Sequence, residues 1–194
     1  MDSVPDDDNR KGSGVLSLTS RVAITVALVA TFLAICKVKD DNIVQAMQQA
    51  QADRLDHWNF YQARNIRQDV AAAEATQLRL SAGAAPAALQ EQYQRAIAAA
   101  ESRAAEEGAK KEELRAQAEQ DQQAYDGLNY RDDQFDLSDA LIALAISMLA
   151  VTALTRKEWL FLLALVPVAG GVLMGLAGLF EWHIHPDMLA RFLS

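Results

Sequence analysis

The chain has 194 residues, of which 51% are hydrophobic and 23% are charged, with a formal net charge of −8 at pH 7. The acidic balance argues against a nucleic-acid partner, because phosphate binding needs a basic patch. The single cysteine, Cys36, excludes an internal disulfide and a thiolate zinc cluster.

The apolar residues are concentrated in three blocks, one near the start and two in the last third of the chain. Residues 37 to 139, between these blocks, contain 19 acidic residues against 12 Lys and Arg. This distribution predicts an all-α integral membrane protein with three transmembrane helices and a long antiparallel coiled-coil hairpin between the first and the second. Residues 1–15, which precede the first block, are expected to form a disordered tail.

The first block, "RVAITVALVATFLAICKVKDDN", could be a cleavable signal peptide, a lipoprotein signal, a buried core helix or a membrane anchor. It lacks the small-residue site that cleavage requires, and Ile35 stands before Cys36 where a lipoprotein signal has a small residue. Extended to residues 16–38 it is long enough to span a bilayer, with Arg21 and Lys37 reaching the two surfaces. We therefore predict an uncleaved signal anchor.

Residues 39–134 are predicted to form the extramembrane hairpin, with arms at about 42–82 and 86–126. "SAGAAP" interrupts the pattern, since glycine suits a helix end and proline a first helical turn. Folding the chain at residue 84 or 85 would place Leu55 opposite Leu114, and Trp58 and Tyr61 near Gly108, Ala109 and Lys111. The predicted hairpin core is Leu55, Trp58, Tyr61, Ile66, Val70 and Leu114.

The string "DHWNFYQ" at 56–62 places three aromatic residues within four positions. Consecutive helical positions are 100° apart, so at least one ring should point away from the partner helix. Phe60 is either ordinary amphipathic surface or a contact with a neighbouring subunit.

Residues 135–155 and 159–182 are predicted to be the second and third transmembrane helices, and only "TRKE" separates their apolar runs. Trp159 and Trp182 stand at the two ends of the third span, as expected at membrane interfaces. Stripes of small residues in these spans could pack within one chain as a three-helix bundle or between copies in a homo-oligomer. The predicted packing residues are Gly171, Gly175 and Gly178 in the third span and Ala143, Ser147 and Ala150 in the second.

The C-terminal segment 183–194 is predicted to lie at the membrane interface, and "EWHIHPD" leads into it. Glu181, His183, His185 and Asp187 are of the types that bind zinc, but Pro186 biases His185 toward extended backbone and no second ligand cluster is predicted. We predict neither a metal site nor any other cofactor. The sequence contains no phosphate-binding glycine loop, no GxSxG and no HExxH, so no enzyme activity is predicted.

Orientation follows from the basic residues near the spans. With a cytoplasmic amino terminus, five basic residues lie inside and four outside: Arg10, Lys11, Arg21, Arg156 and Lys157 against Lys37, Lys39, Arg131 and Arg191. The sequence therefore predicts a multi-pass protein of the bacterial inner membrane, with the hairpin periplasmic or extracellular.

The continuous stretch from "RVAITVALV" through "KVKDDNIVQAM" to "WNFYQARNIRQ", followed by a coiled middle and two closely spaced spans, resembles the bacterial membrane-protein family catalogued as domain of unknown function 4337. The resemblance implies a bacterial envelope protein of similar layout. It implies no reaction, cofactor or catalytic residue.

Two functions are compatible with these features. One is an oligomeric anchor that presents the hairpin as a scaffold, spacer or docking surface, with the lipid bilayer, other copies of the chain and a possible protein partner as its contacts. The alternative is a subunit of a small homo-oligomeric channel or transport component. The first is favoured because the polar residues lie mainly outside the spans.

Overall fold

The computed structural model describes residues 17–182, and within that range the chain is helical with no strands. Helix α1 is Leu18–Gly83, α2 is Gln90–Thr155 and α3 is Glu158–Phe180. A short 3-10 turn, Ala87–Leu89, precedes α2. The predicted tail 1–15 and the predicted interfacial segment 183–194 lie outside the described residues.

Helix α1 shows no break where the predicted first span gives way to the predicted hairpin. No glycine or proline occurs between Val38 and Ala82, so no residue there interrupts the hydrogen-bonded ladder. By their contacts the described residues fall instead into two compact units, one made of residues 17–42 and 130–182 and the other of residues 43–129. We call them the bundle unit and the paired-helix unit.

The bundle unit contains three helical segments that are long and apolar enough to cross a membrane. A core of Val22, Leu149, Phe161 and Ala164 brings together residues from all three helices. At one end of the unit the Arg21 guanidinium lies 2.7 Å from the Glu158 carboxylate. At the other end Arg131 lies 2.8 Å from Glu181. The connection between α2 and α3 is only two residues long, and Arg156 adopts a positive φ of 54° there.

The paired-helix unit contains the second part of α1 and the first part of α2, which run antiparallel. Its turn is closed by the Gln90 side-chain amide, which donates to the carbonyl oxygens of Ala82 and Ala85 at 2.8 and 3.1 Å. The Ala82 carbonyl also accepts a hydrogen bond from the Ala85 backbone N–H at 3.2 Å, so the turn after α1 is held by both backbone and side-chain bonds. The 3-10 turn occupies Ala87–Leu89, so helix α2 begins at Gln90. The prediction placed the start of the second arm earlier, at about residue 86.

The later turn changes the register of the paired helices. The predicted pairing of Leu55 with Leu114 is therefore wrong, although Tyr61 does lie near Lys111 as predicted. Arg54 bonds to Gln122, whereas the prediction placed neighbouring Leu55 opposite Leu114. Gly108 lies against Gln68 and not against Trp58. The prediction assumed that the chain reverses at residue 84 or 85, but the 3-10 turn delays the reversal and moves each partner further along α2.

Candidate functional site

The aromatic string divides between the inside and the outside of the paired-helix unit. Trp58 and Tyr61 are half-buried and form an edge-to-face pair, with ring centroids 5.3 Å apart at 77°. The Lys111 ammonium lies 5.7 Å from the centre of the Tyr61 ring. Phe60 is 59% exposed. Its ring therefore lies on the surface, as expected for at least one member of this string.

Three residues of the predicted hairpin core are wrongly assigned. Leu55, Ile66 and Val70 are all more than half exposed, whereas Leu114 is half-buried. The prediction chose apolar side chains of the first arm at approximately helical spacing. The positions that meet the second arm are instead occupied mainly by alanines and polar residues, so these three apolar side chains lie on the outer face of α1.

The seam between the paired helices follows alternating steps of four and three residues, the spacing of a heptad repeat. In α1 the buried and half-buried positions include Ile43, Met47, Ala50, Arg54, His57, Tyr61, Arg64, Gln68, Ala71, Ala75, Leu78 and Ala82. In α2 they include Tyr93, Ile97, Ala100, Ala104, Glu107, Lys111, Leu114, Ala118, Asp121 and Tyr125. Alanines predominate near the turn, and charged residues lie toward the middle.

The charged seam residues bond to each other across the two helices. His57 Nδ1 lies 2.6 Å from the Asp121 carboxylate, and one Arg64 nitrogen donates to both carboxylate oxygens of Glu107 at 3.0 Å. The Lys111 ammonium donates to the Asn65 side-chain oxygen at 3.1 Å. These bonds satisfy polar groups at the helix interface, and they fix which residues stand opposite each other.

The glycine stripe of α3 faces inward in the bundle unit. A Cβ atom built at Gly171 would lie 2.7 Å from Ile142, and one at Gly175 would lie 2.7 Å from the Phe32 ring. A Cβ at Gly178 would lie 2.8 Å from the Phe135 ring. The predicted glycines therefore pack against helices of the same chain, which is the three-helix-bundle alternative for this stripe.

The small residues of α2 lie on the opposite side. Ala143, Ser147 and Ala150 are exposed in the bundle unit, and the Ser147 hydroxyl donates to the Ala143 carbonyl of its own helix at 2.9 Å. The stripe makes no polar demand on a neighbour, because its hydroxyl is already bonded. These residues remain available to lipid or to a second copy of the chain.

Only one of the four candidate metal ligands falls within the described residues. The Glu181 carboxylate pairs with Arg131, and the backbone of Glu181 has a left-handed φ of 58° where α3 ends. His183, His185 and Asp187 lie outside the described residues. Among residues 17–182, no group of three or more His, Cys, Asp or Glu could hold a metal ion.

Sequence reasoning missed a cluster of carboxyl groups at the Arg131 end of the bundle unit. The Asp40 side chain is only 5% exposed, and its Oδ2 accepts a hydrogen bond from Lys37 Nζ at 2.8 Å. The Asp132 carboxyl group lies within hydrogen-bonding reach of that of Asp40, and Asp133 and Asp136 lie close enough to interact electrostatically. Burial, followed by the hydrogen bond to Asp40, raises the pKa of Asp132 to about 6.

The sequence carried a partial signal for this cluster, since acids stand just after the first span and just before the second. Antiparallel helices bring those two ends together, but the choice of which carboxyl groups meet depends on the rotation of each helix.

The chain matches a protein-family model over most of its length. No curated protein and no solved structure matches the chain. The model of the family described as "Domain of unknown function (DUF4337)" matches residues 18–181, so the chain belongs to that family, as the resemblance predicted.

Proposed function

We propose that this chain is a non-enzymatic membrane anchor that assembles from several copies and presents the paired-helix unit as a coiled-coil docking surface. The bundle unit spans the bacterial inner membrane. The paired-helix unit lies outside the membrane, where it serves as a scaffold or spacer for a protein partner.

The contrast between the exposed side chains of the two units carries this proposal. All three helices of the bundle unit expose large apolar residues: Ile24, Leu28, Ile35, Leu144, Val151, Leu154, Leu162, Leu163, Val166 and Leu173. In water such a surface would exceed the apolar patches that soluble monomers expose. In lipid it is the expected outer surface of a helical bundle, because apolar side chains then face apolar lipid tails and the helices bond most of their backbone polar groups internally.

The exposed positions of the paired-helix unit are mostly polar and include several ion pairs. Arg103 bonds to Glu74 across the two helices at 2.9 Å, and Lys110 pairs with Glu106 along α2 at 2.5 Å. This surface suits water. The heptad spacing of the seam supports the coiled-coil assignment.

Assembly of several copies is supported by apolar and small side chains that no other helix of the same chain covers. Phe60, Leu55, Ile66 and Val70 are exposed on the paired helices, and the small-residue stripe of α2 is exposed on the bundle. An alanine-rich pair of helices buries little apolar area by itself, so association of several pairs would bury more of these side chains.

The copy number of the full chain in a mild detergent tests the proposal. The chain should remain in the membrane fraction after an alkaline wash, and light scattering of the extracted protein should give a protein mass of two or more copies. Recovery as a soluble protein, or a monomer at every concentration, would contradict it. Ion conductance in reconstituted bilayers would favour the channel over the anchor.

A further inference from the structure

Asp40 is a buried carboxylate that this fold leaves incompletely satisfied. Its Oδ2 accepts a hydrogen bond from Lys37. Its Oδ1 is buried, and no donor among residues 17–182 forms a hydrogen bond with it. A buried carboxylate oxygen without a donor is costly, because nothing replaces the water that it loses on folding. This oxygen therefore needs a hydrogen-bond donor.

A second carboxyl group can provide that donor. The Asp132 carboxyl group, on α2, lies within hydrogen-bonding reach of the Asp40 carboxyl group, on α1. Two ionised carboxylates have only acceptor atoms, so they cannot form a hydrogen bond with each other. One protonated carboxyl group supplies the donor and also removes the repulsion between two like charges.

We propose that Asp40 and Asp132 form a proton-binding site in which the two carboxyl groups share one proton. The protonated group donates a hydrogen bond to its ionised partner, and the pair then carries a single negative charge, which the Lys37 ammonium offsets. Loss of the proton to water leaves two negative charges beside one ammonium group. The proton thus joins α1 to α2 at this end of the bundle unit.

The other charged groups nearby favour a proton in this place. Lys37 lies 3.9 Å from Asp41 on α1, and the carboxylates of Asp133 and Asp136 on α2 add negative potential at the pair. At the end of α3, Glu181 is paired with Arg131. A metal ion is disfavoured, because the described residues contain no group of three suitable ligands and Lys37 already occupies the cationic position beside Oδ2.

The sign of the pH effect follows from the raised pKa of Asp132. Between the ordinary value of 3.8 and about 6, the folded chain holds a proton that the unfolded chain has released. The free energy of unfolding therefore falls as the pH rises through this interval, and the contribution of this pair levels off above the upper value. A neutral side chain that always donates a hydrogen bond should remove the effect.

Carbon-13 NMR of the full chain in detergent, with labelled aspartate carboxyl groups, tests the site directly. One carboxyl signal of the unsubstituted protein should titrate near pH 6. Asp132→Asn should remove that titration, and Asp40→Asn should move it toward the ordinary aspartate range. The control is Asp126→Asn, an exposed aspartate of the same helix, which should leave it unchanged.

Thermal unfolding gives a second and independent measurement. At about pH 8, Asp132→Asn should melt a few degrees above the unsubstituted protein, and at about pH 4 the two should melt together. The proposal is overturned if no aspartate titrates above its ordinary range, if millimolar calcium displaces the titration, or if Asp132→Asn melts lower than the unsubstituted protein at about pH 8. The first two tests use the unsubstituted protein and so do not depend on a variant that folds.

Discussion

Gly171 is one of the residues at which a single methyl group would disturb the bundle unit. A Cβ there would lie 2.7 Å from the Ile142 side chain and 3.1 Å from the Ser138 carbonyl oxygen. The Ser138 hydroxyl also donates to the Gly171 carbonyl at 2.8 Å, so a hydrogen bond joins α2 to α3 beside this tight contact.

Gly171→Ala should therefore destabilise the bundle by about 1–3 kcal/mol, because the backbone oxygen of Ser138 cannot move aside as a flexible side chain can. Denaturation of the detergent-solubilised protein would measure the loss. Gly127→Ala is the control, since no atom lies within 4 Å of its added Cβ. That control should be neutral or should stabilise α2 by up to about 1 kcal/mol, as alanine favours a helix more than glycine does. Equal losses in both variants would contradict close packing at Gly171.

At the scale of helices, the sequence predicts three apolar segments long enough to cross a membrane, and all three are helical in the structure. Gly83 ends α1 where a glycine was expected to end it, but the boundaries between the predicted spans and the predicted arms are not breaks in α1 or α2. The register of the paired helices could not be obtained in the same way. It depends on the bonds of the Gln90 amide and on the 3-10 turn before it, and neither leaves a periodic pattern in the sequence.

The seam between the paired helices shows a second limit of prediction from the sequence. Ala100 and Ala118 are fully buried, whereas Ile66 and Val70 are exposed, so side-chain size is a poor guide to the interface of these helices. Small seam residues let the two backbones approach closely, and the bonds of His57 and Arg64 to their partners specify the pairing. The Asp40–Asp132 pair was missed for a related reason, since its partners are distant in sequence and meet only when the helix rotations are known.

Ala100→Leu should separate the paired helices and lower the stability of the paired-helix unit by about 1–3 kcal/mol, because no space exists for the larger side chain. Ala99→Leu is a matched control at the exposed neighbouring position, where leucine should change stability by no more than about 0.5 kcal/mol. Circular dichroism during denaturation would follow both variants. A tolerated Ala100→Leu would argue against a close alanine seam.

Phe60→Ser tests the outer surface of the same element. If Phe60 contacts a neighbouring copy, its loss should weaken association about tenfold or more, as expected for an aromatic residue at the centre of an interface. Stability of the single chain should change little, because the ring is 59% exposed. Asn59→Ser, at the adjacent exposed position, is the control for surface polarity.

Sedimentation of the detergent-solubilised full chain over a concentration series would measure the association of these variants. Unchanged association of Phe60→Ser, with the folded helix content retained, would show that this ring is ordinary surface. Association lost equally in Asn59→Ser would assign the effect to the helix surface in general.

At the scale of the whole molecule, the proposed orientation depends on basic residues close to the spans. Arg156 and Lys157 form the two-residue connection between α2 and α3, and Arg21 lies beside Glu158 at the same end of the bundle unit. Lys37 and Arg131 both make ion pairs with carboxylates. The orientation rule counts Lys and Arg near the spans, and acidic residues contribute little to it. These ion pairs therefore do not change the count of five basic residues on the predicted cytoplasmic side against four on the other side.

Alkaline phosphatase inserted at Ala85, in the turn of the paired-helix unit, should therefore be active, because this reporter folds only outside the cytoplasm. The same reporter inserted between Arg156 and Lys157 should be inactive, and a green fluorescent protein at each position should give the reverse pattern. Replacing Arg156 and Lys157 by glutamate should reduce the phosphatase activity at Ala85, because it removes basic residues from the cytoplasmic side. Phosphatase activity at the α2–α3 connection and not at Ala85 would place the paired helices in the cytoplasm and reverse the proposed orientation.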